Sequence, residues 1–207
     1  DLGYVRMGRA YCLAMLGQEG KAFAEYQQIV QKYPNLQQAV AGDGTTFLRI
    51  GKLNIARKVY GLLGNTTEEK QAYQLQYANA LATVDEEVGN AGQDFKQSEI
   101  RDGRVYYHES QQIFRKLAAE KKGLSYAADM GIAGNQVRKG LFADADHLLK
   151  RLNREDSENV LGYAANMANV RRLESEYHVY YQAGMDYQKN RSEEMGRNYQ
   201  RYLGGNL

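Results

Sequence analysis

The sequence predicts an all-α chain built from stacked pairs of helices, and three observations predict it. The 207 residues contain one proline, Pro34, so almost nothing in the chain interrupts a helix. Alanine, glutamine, lysine and leucine, all good helix formers, are plentiful, and the apolar–polar alternation of strands is hard to find. Similar residues also recur at a fixed spacing, here called the repeat length, of roughly 34 residues, which is typical of a repeat array.

The first predicted repeat unit covers residues 1–36. Small residues at Gly8 and Ala22 are expected to let two antiparallel helices approach closely. Gly17 allows the turn between the helices, and Pro34 ends the second helix. The residues that define the unit are, in order, Tyr4, Met7, Gly8, Tyr11, Leu16, Gly17, Ala22, Tyr26, Ile29 and Pro34.

The second and third units, residues 37–70 and 71–125, repeat this order. The third is interrupted by an acidic, glycine-bearing insertion at about residues 85–103, which is expected to be a flexible surface loop. The matching residues of the second unit are Gly44, Phe47, Gly51, Ala56, Tyr60 and Leu63, and those of the third are Tyr77, Ala78 and Leu81, followed by Ser110, Phe114 and Leu117.

The fourth unit covers residues 126–159, and a fifth begins at 160 and runs through 173 onward. Residues 174–207 are helical in pattern and rich in tyrosine. We expect them to cap the stack, because terminal repeats are atypical. The matching residues of the fourth unit are Ile132, Ala133, Gly140, Ala145, Leu149 and Leu152.

This order of residues resembles the tetratricopeptide repeat: an aromatic, a large–small pair, another aromatic, a turn glycine, a small residue, an aromatic and a closing proline. The resemblance implies a right-handed superhelical array of antiparallel helix pairs over residues 1–173. In that family the first helix of each unit lines a concave surface that binds peptides or protein segments. The resemblance therefore implies a non-catalytic interaction scaffold.

By register with that family, Arg9, Arg49, Asn79 and Arg138 are expected on the concave surface. Together they would form a positive track that suits an acidic peptide or a C-terminal carboxylate, because guanidinium pairs bidentately with carboxylate. The alternative is a set of scattered, solvent-exposed side chains. The other concave positions that the register predicts are Val5, Leu13, Ala41, Thr45, Leu75, Met130 and Gly134.

The chain contains 17 tyrosines, and six of them lie in the last segment. On a helix, Tyr177, Tyr180 and Tyr181 would share one face. Packing between helices is one reading of this stripe. A partner interface through Tyr177 and Tyr181 is a second, and contact with a carbohydrate is a third.

No motif in the sequence predicts catalysis, a metal or a cofactor. The three histidines, His108, His147 and His178, lack metal-binding spacing, and Cys12, the single cysteine, excludes an internal disulfide and is expected to be a buried packing residue. Charges of both signs are interspersed and the net charge is +2, so no nucleic-acid partner is expected. No apolar stretch is long enough to cross a membrane.

The leading hypothesis is a protein-interaction module within a larger bacterial assembly of the cell envelope, such as a secretion, pilus or polysaccharide-export apparatus. A structural spacer between other domains and a carbohydrate-contacting array in an export protein are the alternatives. The first residues already read as the middle of a helical pattern, so the chain is expected to be a fragment of a longer protein. The compartment stays open, with the periplasm preferred over the cytoplasm.

Overall fold

The computed structural model describes residues 2–90, 103–120, 123–138, 141–155, 159, 162–172 and 174–175. These residues form helices and turns without a strand, so the predicted all-α class is confirmed for them. Residues 162–172 form a further helical segment, and Pro34–Leu36 form a 3₁₀ turn. The helices are α1 (Leu2–Met15), α2 (Glu19–Lys32), α3 (Gln37–Arg49), α4 (Leu53–Gly61), α5 (Thr67–Asn90), α6 (Gly103–Ala119), α7 (Ser125–Arg138) and α8 (Phe142–Glu155).

The chain divides into two compact units, residues 1–138 and 139–207. Helices α1 to α7 belong to the first unit, and α8 and the segment 162–172 belong to the second. The boundary falls inside the predicted fourth repeat, between its two helices, where the sequence pattern suggested none.

In the first unit, each helix packs on neighbours that lie one or two helices away in the chain. The pairs α1–α2, α3–α4 and α5–α6 are in contact, and α6 also packs on α7. Next-nearest helices are in contact as well, namely α2 with α4, α3 with α5, and α5 with α7. The pairs α1–α2 and α3–α4 are joined by short turns, so their helices run antiparallel.

The turns after α1 and α3 have the same geometry. Gly17 has a left-handed φ of +78°, which a residue without a Cβ adopts at little cost. Its N–H donates to the Ala14 carbonyl (3.1 Å), and the Gln18 N–H donates to the Leu13 carbonyl (2.9 Å). This pair of bonds is the Schellman motif, and Gly51 (φ +81°) repeats both bonds one repeat length later.

The core of the first unit repeats at the same spacing. Ala22 is fully buried, and α2 ends just before Pro34, so the predicted roles of both residues are confirmed. The predicted role of Gly8 is wrong, because Gly8 is exposed and Ala10 is the fully buried small residue of α1. Two residues turn a helix by about 200°, so the two lie on opposite faces of α1. Buried pairs separated by one repeat length include Ala10 and Gly44, Ala22 and Ala56, Tyr26 and Tyr60, and Ile29 and Leu63.

The predicted insertion begins later than expected. Helix α5 continues to Asn90, so residues 85–90 are helical and the expectation of a loop is wrong for them. The segment contains no proline and includes two glutamates, and nothing in its composition ends a helix before Gly89. Residues 91–102 lie outside the described part of the chain.

The second unit is organised around one face of α8. Phe142, Ala145, Leu149 and Leu152 recur at helical spacing and are buried, and the opposite face of the helix is charged. Asp146 pairs with Lys150 on the same helix and with Arg171 (3.6 Å) on the segment 162–172.

Candidate functional site

The predicted positive track lies on exposed positions of four different helices. Arg9 is on α1, Arg49 ends α3, Asn79 is on α5 and Arg138 ends α7, and all four are exposed. At this end of α7, Arg138 Nη1 lies 3.4 Å from Asn135 Oδ1. Tyr177 and Tyr181, the other predicted partner-binding residues, lie outside the described residues.

The four helices that carry these residues belong to one layer of the first unit. Helix α5 packs on both α3 and α7, and Tyr11 of α1 stacks on Phe47 of α3 with ring centroids 5.3 Å apart. The track does not follow the repeat, however, because the residue one repeat length after Arg9 is Asp43. The predicted concave position of Ala41 is wrong, since this residue is fully buried on the core face of α3.

A cavity of about 310 Å³ opens between α4, α5 and α6. Its wall is largely apolar, and its polar lining is rich in cations. Lys70 and Lys116 line it and are exposed, whereas Arg57 and Glu109 pair with each other inside it. The apolar residues that line the cavity are Tyr60, Leu63, Tyr77 and Ile113.

Three side chains in this cavity form one network that joins α4, α5 and α6. Arg57 donates from Nε and Nη2 to the two carboxylate oxygens of Glu109, at 2.8 and 2.7 Å. The buried Tyr77 hydroxyl donates to Glu109 Oε1 at 2.9 Å. The hydrogen bond that Arg57 donates to Glu109 raises the pKa of Arg57, and burial, helped by the nearby carboxylate, raises the pKa of Tyr77. Both groups therefore keep their protons, and the network suits joining helices rather than proton transfer.

Two further polar contacts join helices in the interior. The Tyr26 hydroxyl donates to Asp43 Oδ2 at 2.7 Å, linking α2 to α3. Burial raises the pKa of Asp43, and the hydrogen bond from Tyr26 opposes that shift. Between α6 and α7, the buried Asn135 amide donates to Ser110 Oγ (2.7 Å) and to Gln111 Oε1 (3.1 Å).

The prediction that Cys12 is a buried packing residue is wrong. Cys12 is exposed, because it lies on the face of α1 opposite Ala10 and Ala14. His108 and His147 are exposed, and His178 lies outside the described residues. Within the part of the chain that the structure describes, no three histidine, cysteine or acidic side chains are close enough together to hold a metal ion.

The outward surface of α1 was predicted only in part, since the register placed Val5 and Arg9, but no other residue of this surface, on the concave side. We call it the α1 outer face, and it is almost entirely apolar. Its signal was present in the sequence, because α1 carries apolar residues around its whole circumference and only two charged ones. The residues of the α1 outer face are Leu2, Tyr4, Val5, Gly8, Arg9, Cys12 and Met15, and Leu16 follows directly after the helix.

Comparison of the chain with models of protein families, with curated proteins and with solved structures found no match. Among the helices described, none combines the length and the apolar character needed to cross a lipid bilayer.

Proposed function

We propose that this chain is a non-catalytic scaffold that binds an acidic protein segment along the layer formed by α1, α3, α5 and α7. In this proposal the helix pairs form a right-handed superhelix of the tetratricopeptide type, and the layer lines its concave surface. The observation that carries the proposal is that three helices of this layer each expose a guanidinium group, at Arg9, Arg49 and Arg138.

The repeated geometry supports the proposed array. The Schellman turns at Gly17 and Gly51 and the buried small residues Ala22 and Ala56 are separated by the same repeat length. Contacts between helices two apart in the chain are those that stacked helical pairs require, since one pair cannot bury its apolar face alone.

The distribution of acidic residues supports an acidic ligand. Helix α1 contains no acidic residue. The acidic side chain of α3, Asp43, is held by Tyr26. Carboxylates of a bound segment would therefore meet Arg9 with little competition from acidic residues on α1.

The hydrogen bonds of the interior polar groups, which link helices to one another, support a non-catalytic role. The described contacts of Glu109, Asp43 and Asn135 each link two or more helices, and none of them leaves a nucleophile beside a base. The resemblance noted in the sequence extends the proposal to a bacterial cell-envelope assembly for secretion or export.

A titration with two synthetic peptides tests the acidic-segment proposal. The probe is a fluorescein-labelled, glutamate-rich peptide with a free C-terminal carboxylate, and its control is the same peptide with glutamine and a C-terminal amide. We expect the acidic peptide to bind at least about tenfold more tightly at low salt, because several charge-assisted hydrogen bonds are lost in the control.

Matched charge reversals show whether binding is localised. Arg49→Glu together with Arg138→Glu is expected to weaken the acidic peptide at least about tenfold. Lys58→Glu together with Arg115→Glu makes the same change of charge on exposed positions of α4 and α6 and is expected to leave binding nearly unchanged. Equal losses in both double variants would mean that only net charge attracts the peptide, and the proposal would then be rejected.

A further inference from the structure

The α1 outer face has the composition of a buried surface. Leu2, Val5 and Leu16 keep 61%, 68% and 73% of their surface exposed, and Arg9 is the only charged residue of the face. A helix that is apolar on all sides is normally buried on all sides. Helix α2 provides the contrast, because its exposed residues are mostly polar, namely Gly20, Lys21, Ala24, Gln27, Gln28, Gln31 and Lys32.

The spacing on this face is that of a helix–helix seam. Leu2, Val5, Arg9, Cys12 and Leu16 follow one another at alternating intervals of three and four residues, which is the a/d pattern of a coiled coil. Gly8, beside this line, is also open, since a Cβ added there would meet nothing within 4 Å. A small residue at this position lets the backbone of a second helix approach closely.

One edge of the equivalent surface of the next pair is covered by helices, whereas Gly42 and Arg49, one repeat length after Gly8 and Met15, are exposed. The residue one repeat length after Leu13 is Phe47, which is fully buried against Tyr11 of α1 and Tyr26 of α2. Helix α1 has no such neighbour on that side among the described helices of the first unit. A further helix along the edge of the α1 outer face next to Leu13 would therefore continue a packing that α1 and α2 already provide for α3.

The positive charge of the α1 outer face indicates that a helix docked there would carry an acidic residue. Helix α1 contains no acidic residue, and its other arginine, Arg6, is paired with Glu25 at 2.8 Å. Arg9 lies at the centre of the seam. A second copy of α1, packed parallel or antiparallel in register, would bring Arg9 against Arg9, and like charges in a seam are unfavourable.

We propose that the α1 outer face docks an amphipathic helix of a protein partner, with an acidic residue of that helix against Arg9. The surface shares Arg9 with the one proposed for the acidic segment, but the test of that other proposal uses Arg49 and Arg138. Failure of either proposal leaves the other standing, because each is tested by its own peptide and its own variants.

The test uses the full chain and a designed amphipathic peptide of about three heptads, with leucine at the a and d positions and glutamate at the one a position that faces Arg9. A matched peptide carries lysine in place of that glutamate. We expect isothermal titration calorimetry to show binding of the glutamate peptide, and binding at least about tenfold weaker for the lysine peptide. Arg9→Glu is expected to reverse this preference.

Two glycine variants separate docking from folding. Gly8→Gln adds a side chain to the α1 outer face, and Gly20→Gln adds the same side chain to α2, where a Cβ also meets nothing within 4 Å. Both variants are expected to keep the helical circular dichroism of the wild type, because the new side chains point into open space. Gly8→Gln is expected to weaken the glutamate peptide at least about tenfold, and Gly20→Gln to leave its affinity unchanged.

Four outcomes overturn the proposal. One is the absence of binding by either peptide at about millimolar concentration, and another is equal affinity for the two peptides. A third is a dimer in analytical ultracentrifugation that Val5→Ser dissociates, which would assign the face to a second copy of the chain. The fourth is Val5-dependent binding to anionic phospholipid vesicles in the absence of peptide binding, which would assign it to a lipid surface.

Discussion

The packing of α7 on α6 depends on a glycine, and removing that glycine gives a sharp test of the structure. Gly131 lies against the ring of Phe114, which is fully buried. A Cβ built on Gly131 would lie 2.5 to 2.6 Å from three carbon atoms of that ring. Real carbon–carbon contacts are about 3.5 Å or longer, so Gly131→Ala forces α7 and Phe114 apart.

The expected magnitude combines two effects of opposite sign. Overpacking of a closed interior costs about 1–3 kcal/mol. Replacing a glycine inside a helix by alanine contributes about 0.5–1 kcal/mol in favour of folding. Gly131→Ala is therefore expected to lower the free energy of unfolding by up to about 2.5 kcal/mol.

Gly134→Ala, on the same helix, is the control. A Cβ at Gly134 would meet only the Nη1 atom of Arg138, at 3.4 Å, at the far end of a flexible side chain. The control is expected to raise the free energy of unfolding by about 0.5–1 kcal/mol. Urea unfolding followed by far-UV circular dichroism measures both variants. The reasoning is refuted if Gly131→Ala is as stable as Gly134→Ala, or if Phe114→Leu does not reduce the cost of Gly131→Ala.

Two further substitutions test the polar contacts of the first unit. Burial raises the pKa of Asp43 in the folded chain, so its contribution to stability is present below the unfolded pKa of about 3.9 and is lost as pH rises through the folded pKa. Asp43→Asn is therefore expected to gain stability relative to the wild type between about pH 3 and pH 7 in urea titrations. A stability difference that stays constant across that range would contradict the prediction. Tyr77→Phe is expected to lower the free energy of unfolding by about 1–2 kcal/mol in the wild type and by less than half of that in a Glu109→Gln background. A double-mutant cycle of unfolding free energies measures both values. Equal costs in the two backgrounds would mean that the hydroxyl does not interact with the carboxylate.

The features that could be predicted from the sequence are those where local sterics restrict the residue type. A left-handed φ after a helix favours glycine, so Gly17 and Gly51 mark their turns in the sequence. A close approach of two helices leaves room only for a small side chain, so the buried positions of Ala22 and Ala56 could be predicted from the sequence. These constraints act over a few residues and repeat with the period of the chain.

The features that could not be predicted depend on the register of a helix or on distant side chains. An error of two residues in α1 exchanged Gly8 for Ala10, and the same helix turned Cys12 outward. The network of Arg57 with Glu109 joins residues 52 positions apart and spans the interrupted third unit, so no local sequence pattern predicts this contact. The apolar exterior of α1 is visible in the composition of the helix, but of its exposed apolar residues only Val5 was predicted to lie on a surface.

The small separation in sequence between contacting helices determines how the chain is expected to fold during synthesis. The main contacts of the first unit join helices that are adjacent or next-nearest in the chain. Low contact order of this kind favours rapid folding, since little loop-closure entropy is lost before contacts form. A single pair buries too little apolar surface to persist and about three repeats are needed for stability, so the nascent chain is expected to become stably folded only once α6 has left the ribosome.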